Sequence, residues 1–283
     1  ADLTGLLASF LSGRIPFRLS CAFPEWGGLR FFPVPLNQTV ADKDVKKIRW
    51  VDQSGWQQLL GGKAVEDVIA SSPTGHIPRV DVENPSADKN PWKVWEVPRV
   101  GLDRMSNHPG DRYFHFGQVH FLPDASFFFL VDVESENIWN RHKAVWRILA
   151  DEGLGGDRSV GKGLYHSPVF SKLSLTVPDR AEYRLLLSLF YPLPSETEVI
   201  AKGYYEMIER RGYLYSPAAQ GLKRKGVRVF KTGSVFPAAQ PLSGQLVDVT
   251  PEIFVQHRVY RYGIALSVPC QPRGGSHARI HVG

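Results

Sequence analysis

Apolar residues recur at helical spacing near the start of the chain, where Leu3, Leu6, Leu7, Phe10 and Leu11 share one face and Gly13 stands as a C-terminal cap would. The same period returns at Ile138, His142, Val145, Trp146 and Leu149, predicting a second amphipathic helix over 138–151. Aromatic and β-branched runs from Arg30 to Val34, Arg112 to Phe121 and Phe127 to Val133 read as strands, the last too apolar to lie exposed. From Lys172 to Val177 the chain alternates like a strand again. Tyr183 to Tyr191 alternates in the same way until Pro192 and Pro194 stop it. Ser195 and Glu198 have capping-box spacing for a helix carrying Ile200, Tyr204, Met207 and Ile208, ended by Gly212. Strands from Gly226 to Lys231, Gln245 to Val249 and Arg258 to Val268 complete a second sheet. The polar break around Val177-Pro178-Asp179-Arg180 then divides the chain into domains 1–178 and 179–283.

One stretch fits neither period. From Gly61 to Asn107 the chain is polar and punctuated by Pro73, Pro78, Pro85, Pro91 and Pro98. A compact domain rarely holds so long a loop unless it is functional or unstructured. Trp92, Trp95, Arg99 and Arg104 sit among short β-prone pieces, which predicts a protruding β-hairpin; for 61–90 an unstructured surface insertion stands equally open.

With 283 residues and 43% hydrophobic content the chain can bury one large or two modest cores. The 34 Lys and Arg against 28 Asp and Glu leave a net charge of +6, which suits an anionic partner. Two cysteines, Cys21 and Cys270, exclude a disulfide framework and a four-ligand zinc site and fit a reducing, cytoplasmic setting. No apolar run reaches membrane-spanning length, and the opening residues lack a basic n-region and a small-residue cleavage site, so neither export nor a membrane partner is expected. The nine histidines form no HxxxH or HExxH pattern and the acids do not cluster, so no metal site and no cofactor are expected.

The most informative segment is Gly153-Leu154-Gly155-Gly156-Asp157-Arg158-Ser159-Val160-Gly161-Lys162-Gly163. Its glycines let the backbone approach a partner and turn N–H groups outward, while Arg158 and Lys162 add positive charge. That combination suits phosphate. Gly156 to Lys162 also fits GxxxxGK, but a nucleotide-binding P-loop needs a strand before it, a helix after it and a hydroxyl following the lysine. Here a helix precedes, a strand-like segment follows, and Gly163 occupies the hydroxyl position, which excludes that reading.

A helix running into this loop resembles the glycine-rich loop of the RAMP superfamily of CRISPR RNA-binding proteins. The GGDRS form resembles the Cas-five-like branch that supplies subunit four of type III-A (Csm) effector complexes. Other segments agree in order: Asp2 to Leu7, Ser20-Cys21-Ala22-Phe23-Pro24, Phe31 to Pro35, Gly101-Leu102-Asp103-Arg104, Arg224-Lys225-Gly226-Val227, Lys231 to Phe236 and Arg261-Tyr262-Gly263-Ile264-Ala265. The resemblance implies an α+β protein of two ferredoxin-like (RRM-like) domains. The first strand of the N-terminal domain would lie ahead of Ala1, the glycine-rich loop would span 153–163, and a β-hairpin thumb would occupy about 61–107.

It further implies a non-catalytic subunit that caps the 5′ tag of CRISPR RNA (crRNA), lies along the guide–target RNA duplex, and joins the large polymerase-like (Cas10-type) subunit to the backbone RAMP subunit. The residues expected at RNA are Gly155, Gly156, Arg158, Ser159, Gly161, Lys162 and Gly163, with Ser20, Phe23, Arg104, Arg224, Lys225 and Arg228; Trp95 and Arg99 belong to the thumb. Phe23 and Trp26 are candidates to stack on an unpaired base. The basic set at 223–228 equally suits a solvated strand edge. Relatives that cut precursor RNA with a general-base histidine make a metal-independent endoribonuclease the alternative, with His76, His108, His115 and His166 the histidines to consider. An architectural subunit whose loop packs on protein is the other. Asp103 beside Arg104 is read as a positioning residue.

Overall fold

The computed structural model describes residues 3–38, 40–72, 75–78, 90–102, 105–106, 108–214, 216 and 221–273. The elements begin with α1 (Leu3–Leu11) and β1 (Phe17–Leu19). There follow β2 (Phe23–Trp26), β3 (Leu29–Pro33), β4 (Ile48–Asp52), α2 (Gln53–Leu60), α3 (Val65–Ser71), β5 (His76–Pro78), β6 (Trp92–Leu102), β7 (Pro109–Phe121) and β8 (Ala125–Phe128). After these come β9 (Val131–Val133), α4 (Glu136–Glu152), β10 (Tyr183–Leu186), α5 (Thr197–Ile200), β11 (Met207–Arg210), β12 (Val227–Phe230), β13 (Val235–Pro237), β14 (Val247–Asp248), β15 (Tyr260–Arg261) and β16 (Ser267–Cys270). The fold is α+β, and the described strand pairs are antiparallel.

Two compact units form. Residues 22–128 make one unit, and residues 1–21 with 129–272 make the other. The first of these units contains the segment 61–107. Its strands lie in the order β5-β4-β3-β2-β8, and α2 covers β3 and β4. Trp56 on α2 is wholly buried and stacks on Phe32 at 4.3 Å between ring centres. Asp52 ends β4 and caps α2, accepting from the Gly55 N–H at 2.7 Å. Residues 61–78, for which an unstructured insertion is equally open from the sequence, instead carry α3 and β5 and bury Val65, Val68 and Ile77.

The predicted hairpin is present with other bounds: β6 and β7 pair from Trp92↔Phe121 to Leu102↔Pro109. The strand expected from Arg112 to Phe121 is thus one arm of the ribbon rather than part of a core sheet. The run from Phe127 to Val133 also divides, ending β8 in one unit and opening β9 in the other, and Phe127 is half exposed.

In the other unit α1 ends at Leu11, and Gly13 follows with φ +82°. β1 pairs with β9, Phe17 opposite Val133 and Leu19 opposite Val131. Helix α4 starts at Ser135, whose hydroxyl accepts from Ile138 N–H, and turns Trp146 against Phe129 and His142 against Phe17. Lys172–Val177 is not a strand. Leu173, Leu175 and Val177 are half-buried while Ser174 and Thr176 are exposed, so the alternation survives; among the described residues β9 has only β1 beside it, and no ladder forms.

The predicted helix from 195 to 212 shrinks to the single turn α5, and Met207–Arg210 is a strand paired with β12. Gly203 marks the break, because a side chain there would overlap the Phe236 ring. Tyr204 already bridges to Val235. The cap differs too: Glu196 accepts from the Leu193 N–H at 2.7 Å and from the Ser243 N–H at 2.7 Å. Leu186, Phe190, Phe230, Phe236, Leu242 and Ala265 form one core, and Val227, Val229 and Val249 form another with Ile208, Val247 and Val259 against them.

The hydroxyl of half-buried Tyr262 joins this region to the chain's beginning, accepting from Leu19 N–H at 3.1 Å and donating to Phe17 O at 3.4 Å. Burial pushes its pKa up to about 12, so it stays a neutral phenol across the working range. Tyr262→Phe strands the Leu19 donor and is expected to lower unfolding free energy by about 1–3 kcal/mol, measured by urea denaturation.

Candidate nucleic-acid interface

The glycine-rich segment is a closed loop hung on the end of α4. Gly153 caps the helix at φ +78°, and its N–H still donates to Leu149 O at 2.9 Å. Leu154 N–H then donates to Gly163 O at 2.9 Å, tying entry to exit. Both neck glycines are required by space: a side chain on Gly163 would overlap the Leu154 carbonyl, and a Cβ on Gly153 would come within 3.0 Å of Gly163 O. Between them Asp157 takes a left-handed conformation at φ 58°, which Asp tolerates. Arg158–Val160 forms one tight turn, and Gly161 leaves it at φ +78°.

The apex differs from the neck. Gly155 and Gly161 have positive φ with nothing within 4 Å of an added Cβ, so their backbone faces open space. Gly156 is exposed. Among the described residues, the N–H groups of Gly155 and Gly156 make no hydrogen bond, a pair of adjacent free donors of the kind that cradles an oxyanion. Arg158 and Lys162 are half-buried at the same loop, and the backbone of Ser159 lies in the turn between them. Helix before and no helix after agree with the exclusion of a P-loop.

The other expected residues scatter in role. Phe23 is fully buried against Phe32, Trp50 and Phe128, so it offers no face to a base and belongs to the sheet core. Trp26 is half-buried. The Ser20 hydroxyl donates to Cys21 O at 2.6 Å and accepts from Leu130 N–H at 2.8 Å, a structural assignment. Lys225 lies 3.6 Å from Glu252, and Arg228 is exposed opposite Glu209 on the β11–β12 ladder. The turn Lys231 to Ser234 is built for structure: Lys231 pairs with Glu206 at 2.8 Å and buried Ser234 donates to Lys231 O. On the ribbon, Trp95 is 57% exposed beside His120, and the Arg99 guanidinium stands 4.5 Å from the Phe116 ring centre. Arg104, with Asp103, lies outside the described residues.

Arg224 is half-buried and has company that sequence reasoning misses. Its guanidinium lies over Gly212, where an added Cβ would meet Nη2 at 2.7 Å. Arg210 and Arg261 stand close enough that both Arg210 and Arg224 act on Arg261 electrostatically. The signal is present as alternation, Ile208 then Arg210 and Val259 then Arg261, but helical spacing claims the first pair.

His108, His115 and His166 are exposed and His76 is half-buried. No group of three or more His, Cys, Asp or Glu able to hold a metal occurs among the described residues. Cys21 and Cys270 are free thiols, and burial raises the pKa of both, Cys270 to about 12. No helix among the described residues is long and apolar enough to cross a membrane.

Residues 179–270 match the family described as CRISPR Csm4 C-terminal domain. A protein of Methanocaldococcus jannaschii described as "CRISPR system Cms protein Csm4" is 20% identical, covering 86% of this chain and 77% of its own length. One of the same description from Thermococcus onnurineus is 22% identical over 92% of this chain and 81% of its own. Residues 179–270 thus carry a Csm4 C-terminal domain, and the chain is similar to the Csm4 proteins over most of its length. Its fold is similar to that of a Csm3–Csm4 subcomplex of the type III-A CRISPR-Cas interference complex, with TM-score 0.63, 17% identity and coverage of 95% of this chain and 88% of that one. It is similar also to a Csm1–Csm4 cassette in complex with pppApA, with TM-score 0.57, 17% identity and coverage of 96% and 84%.

The neck and apex glycines separate by substitution. Gly163→Ala is expected to open the loop and cost about 1–3 kcal/mol, whereas Gly161→Ala bears only the left-handed strain of about 1 kcal/mol. Chemical denaturation together with amide exchange at 154–163 measures both.

Proposed function

We propose that this chain is the crRNA-binding subunit of a type III-A CRISPR interference complex, holding the 5′ tag through its glycine-rich loop without cutting it and joining the large polymerase-like subunit (Csm1) to the backbone subunit (Csm3). The observation that carries this reading is the loop itself: a neck closed by Leu154 and Gly163, and an apex with free amides at Gly155 and Gly156 beside two cations. Phosphodiester oxygens are acceptors only, so amide donors backed by positive charge suit an RNA backbone and carry no base code. Target sequence is then read by guide pairing.

Within this reading the unit of residues 1–21 and 129–272 comprises two ferredoxin-like halves, and 22–128 is an elaborated insertion within the first of them. The β6–β7 ribbon is the thumb, and exposed Trp95 and Tyr113 are the faces it presents to a guide–target duplex. A nucleolytic role finds less support, because His142 has its Nδ1 at 2.7 Å from Ile138 O and the exposed histidines have no Lys or Tyr paired with them in the described contacts.

The test is salt-dependent binding of the purified chain to crRNA with and without its 5′ tag. Wild type is expected to prefer tagged RNA and leave it intact. Arg158→Ala/Lys162→Ala is expected to weaken binding about tenfold or more and to flatten the log K against log salt slope by about 1.4, two phosphate contacts at about 0.7 each. Unchanged affinity would support the architectural reading, and metal-independent cleavage the nuclease.

A further inference from the structure

We propose that Arg210, Arg224 and Arg261 form a phosphate-binding niche on the C-terminal part of the chain, separate from the glycine-rich loop, that holds a phosphodiester of a single-stranded RNA. This rests on the RNA-binding reading above and adds a second anchoring point to it.

The niche follows from strand alternation. On β11 the core-facing residue Ile208 is followed two positions later by Arg210, directly opposite buried Val227. On β15 the row begun by Val259 continues to Arg261, opposite Val247 of the same core. Both side chains therefore extend an inward-facing row past the point where the apolar core ends. Arg224 arrives beside them because its backbone N–H donates to Gly212 O at 2.9 Å and its guanidinium rests on that glycine.

Among the described residues the three cations lack counterions. Each carboxylate on the adjoining segments is engaged elsewhere: Glu209 with Arg211 at 2.7 Å, Asp248 with Arg258 at 3.3 Å, Glu252 with Lys225 at 3.6 Å and Glu206 with Lys231 at 2.8 Å. None of the three arginines makes an ion pair among the described residues. The Nε atoms of Arg224 and Arg261 are fully buried with no hydrogen-bond partner. Buried unsatisfied donors in converging like charges are costly, and an anion with several acceptor oxygens satisfies both defects together. Burial and the two neighbouring guanidiniums also lower the Arg261 pKa, the direction that an unneutralised cluster produces. Tyr213, one residue beyond Gly212, is 61% exposed with the Lys223 ammonium 5.9 Å from its ring centre. A ring of that kind next to a phosphate site favours a nucleotide strand over a protein carboxylate.

The experiment compares wild type, Arg210→Ala/Arg261→Ala and Arg158→Ala/Lys162→Ala by thermal unfolding with added pyrophosphate and by salt-dependent binding of a labelled single-stranded RNA. Pyrophosphate is expected to raise the Tm of the wild type and of the loop variant but not of the niche variant. RNA binding by the niche variant is expected to weaken about tenfold, with the salt slope flatter by about 1.4. Its urea midpoint should hold or rise, since the substitution removes mutual repulsion, and Arg210→Gln/Arg261→Gln repeats the comparison with a polar replacement. A niche variant that keeps wild-type slope while the loop variant loses it overturns the niche and leaves the RNA-binding reading standing. Loss of the pyrophosphate effect with unchanged RNA binding, or loss of subunit assembly alone, also overturns it, the latter in favour of a partner carboxylate. Wild-type RNA binding by both variants would defeat both proposals.

Discussion

Ser20 and Leu130 hold together the two places where the chain leaves one compact unit and returns to it. Ser20 N–H donates to Leu130 O at 3.0 Å, and Leu130 N–H donates to the Ser20 hydroxyl at 2.8 Å. Everything from 22 to 128 is inserted between these residues. Loop-closure entropy grows only slowly with length, so even so large an insertion is tolerated once its ends are pinned. The pin also lets β1 pair with β9, and the Tyr262 hydroxyl extends that ladder toward the second half of the unit. Cys21 N–H, donating to Leu187 O at 2.8 Å, continues the seam. A residue that resembles part of a binding motif is thus occupied in keeping the unit closed.

On that frame the molecule presents positive charge in two physically different ways. At the glycine-rich loop the donors are backbone amides: Gly153 and Gly163 close the neck with main chain alone, and the Gly155 and Gly156 N–H groups have no hydrogen bond among the described residues. In the C-terminal half they are guanidiniums held on sheet rows that run out of a valine-rich core. The first arrangement depends on the absence of side chains and the second on their fixed direction. Both lie in the unit formed by residues 1–21 and 129–272, whereas residues 22–128 carry the exposed aromatic ribbon.

Legibility in the sequence follows the range of the forces involved. Helices α1 and α4, and the glycine that follows the first, depend on local spacing and are readable to within about two residues; the Ser135 cap of α4 is not among the sequence expectations. The glycine-rich loop is readable because glycines this dense beside two cations suit a backbone-lined anion site and little else. Phe23 is misread because an aromatic beside a glycine-poor motif looks the same whether it meets a base or Phe32, and only the long-range pairing of β2 with β8 decides. Residues 203–210 read as helix because Ile200, Tyr204 and Ile208 keep the period; the cross-strand partners at 227–230 and 235 override it. Arg210 and Arg261 are not joined by any local period, since the strands that carry them meet through the core of Val227, Val229 and Val249.

The central claim is that one RNA strand is held by this unit at its backbone. Photocrosslinking tests it most directly, with 4-thiouridine placed singly along the 5′ tag, bound to the purified chain and mapped by mass spectrometry. Adducts are predicted on residues 153–165, and on 207–228 or 258–262, with the RNA left whole. Adducts confined to 22–128, or none above an untagged control, would contradict the account.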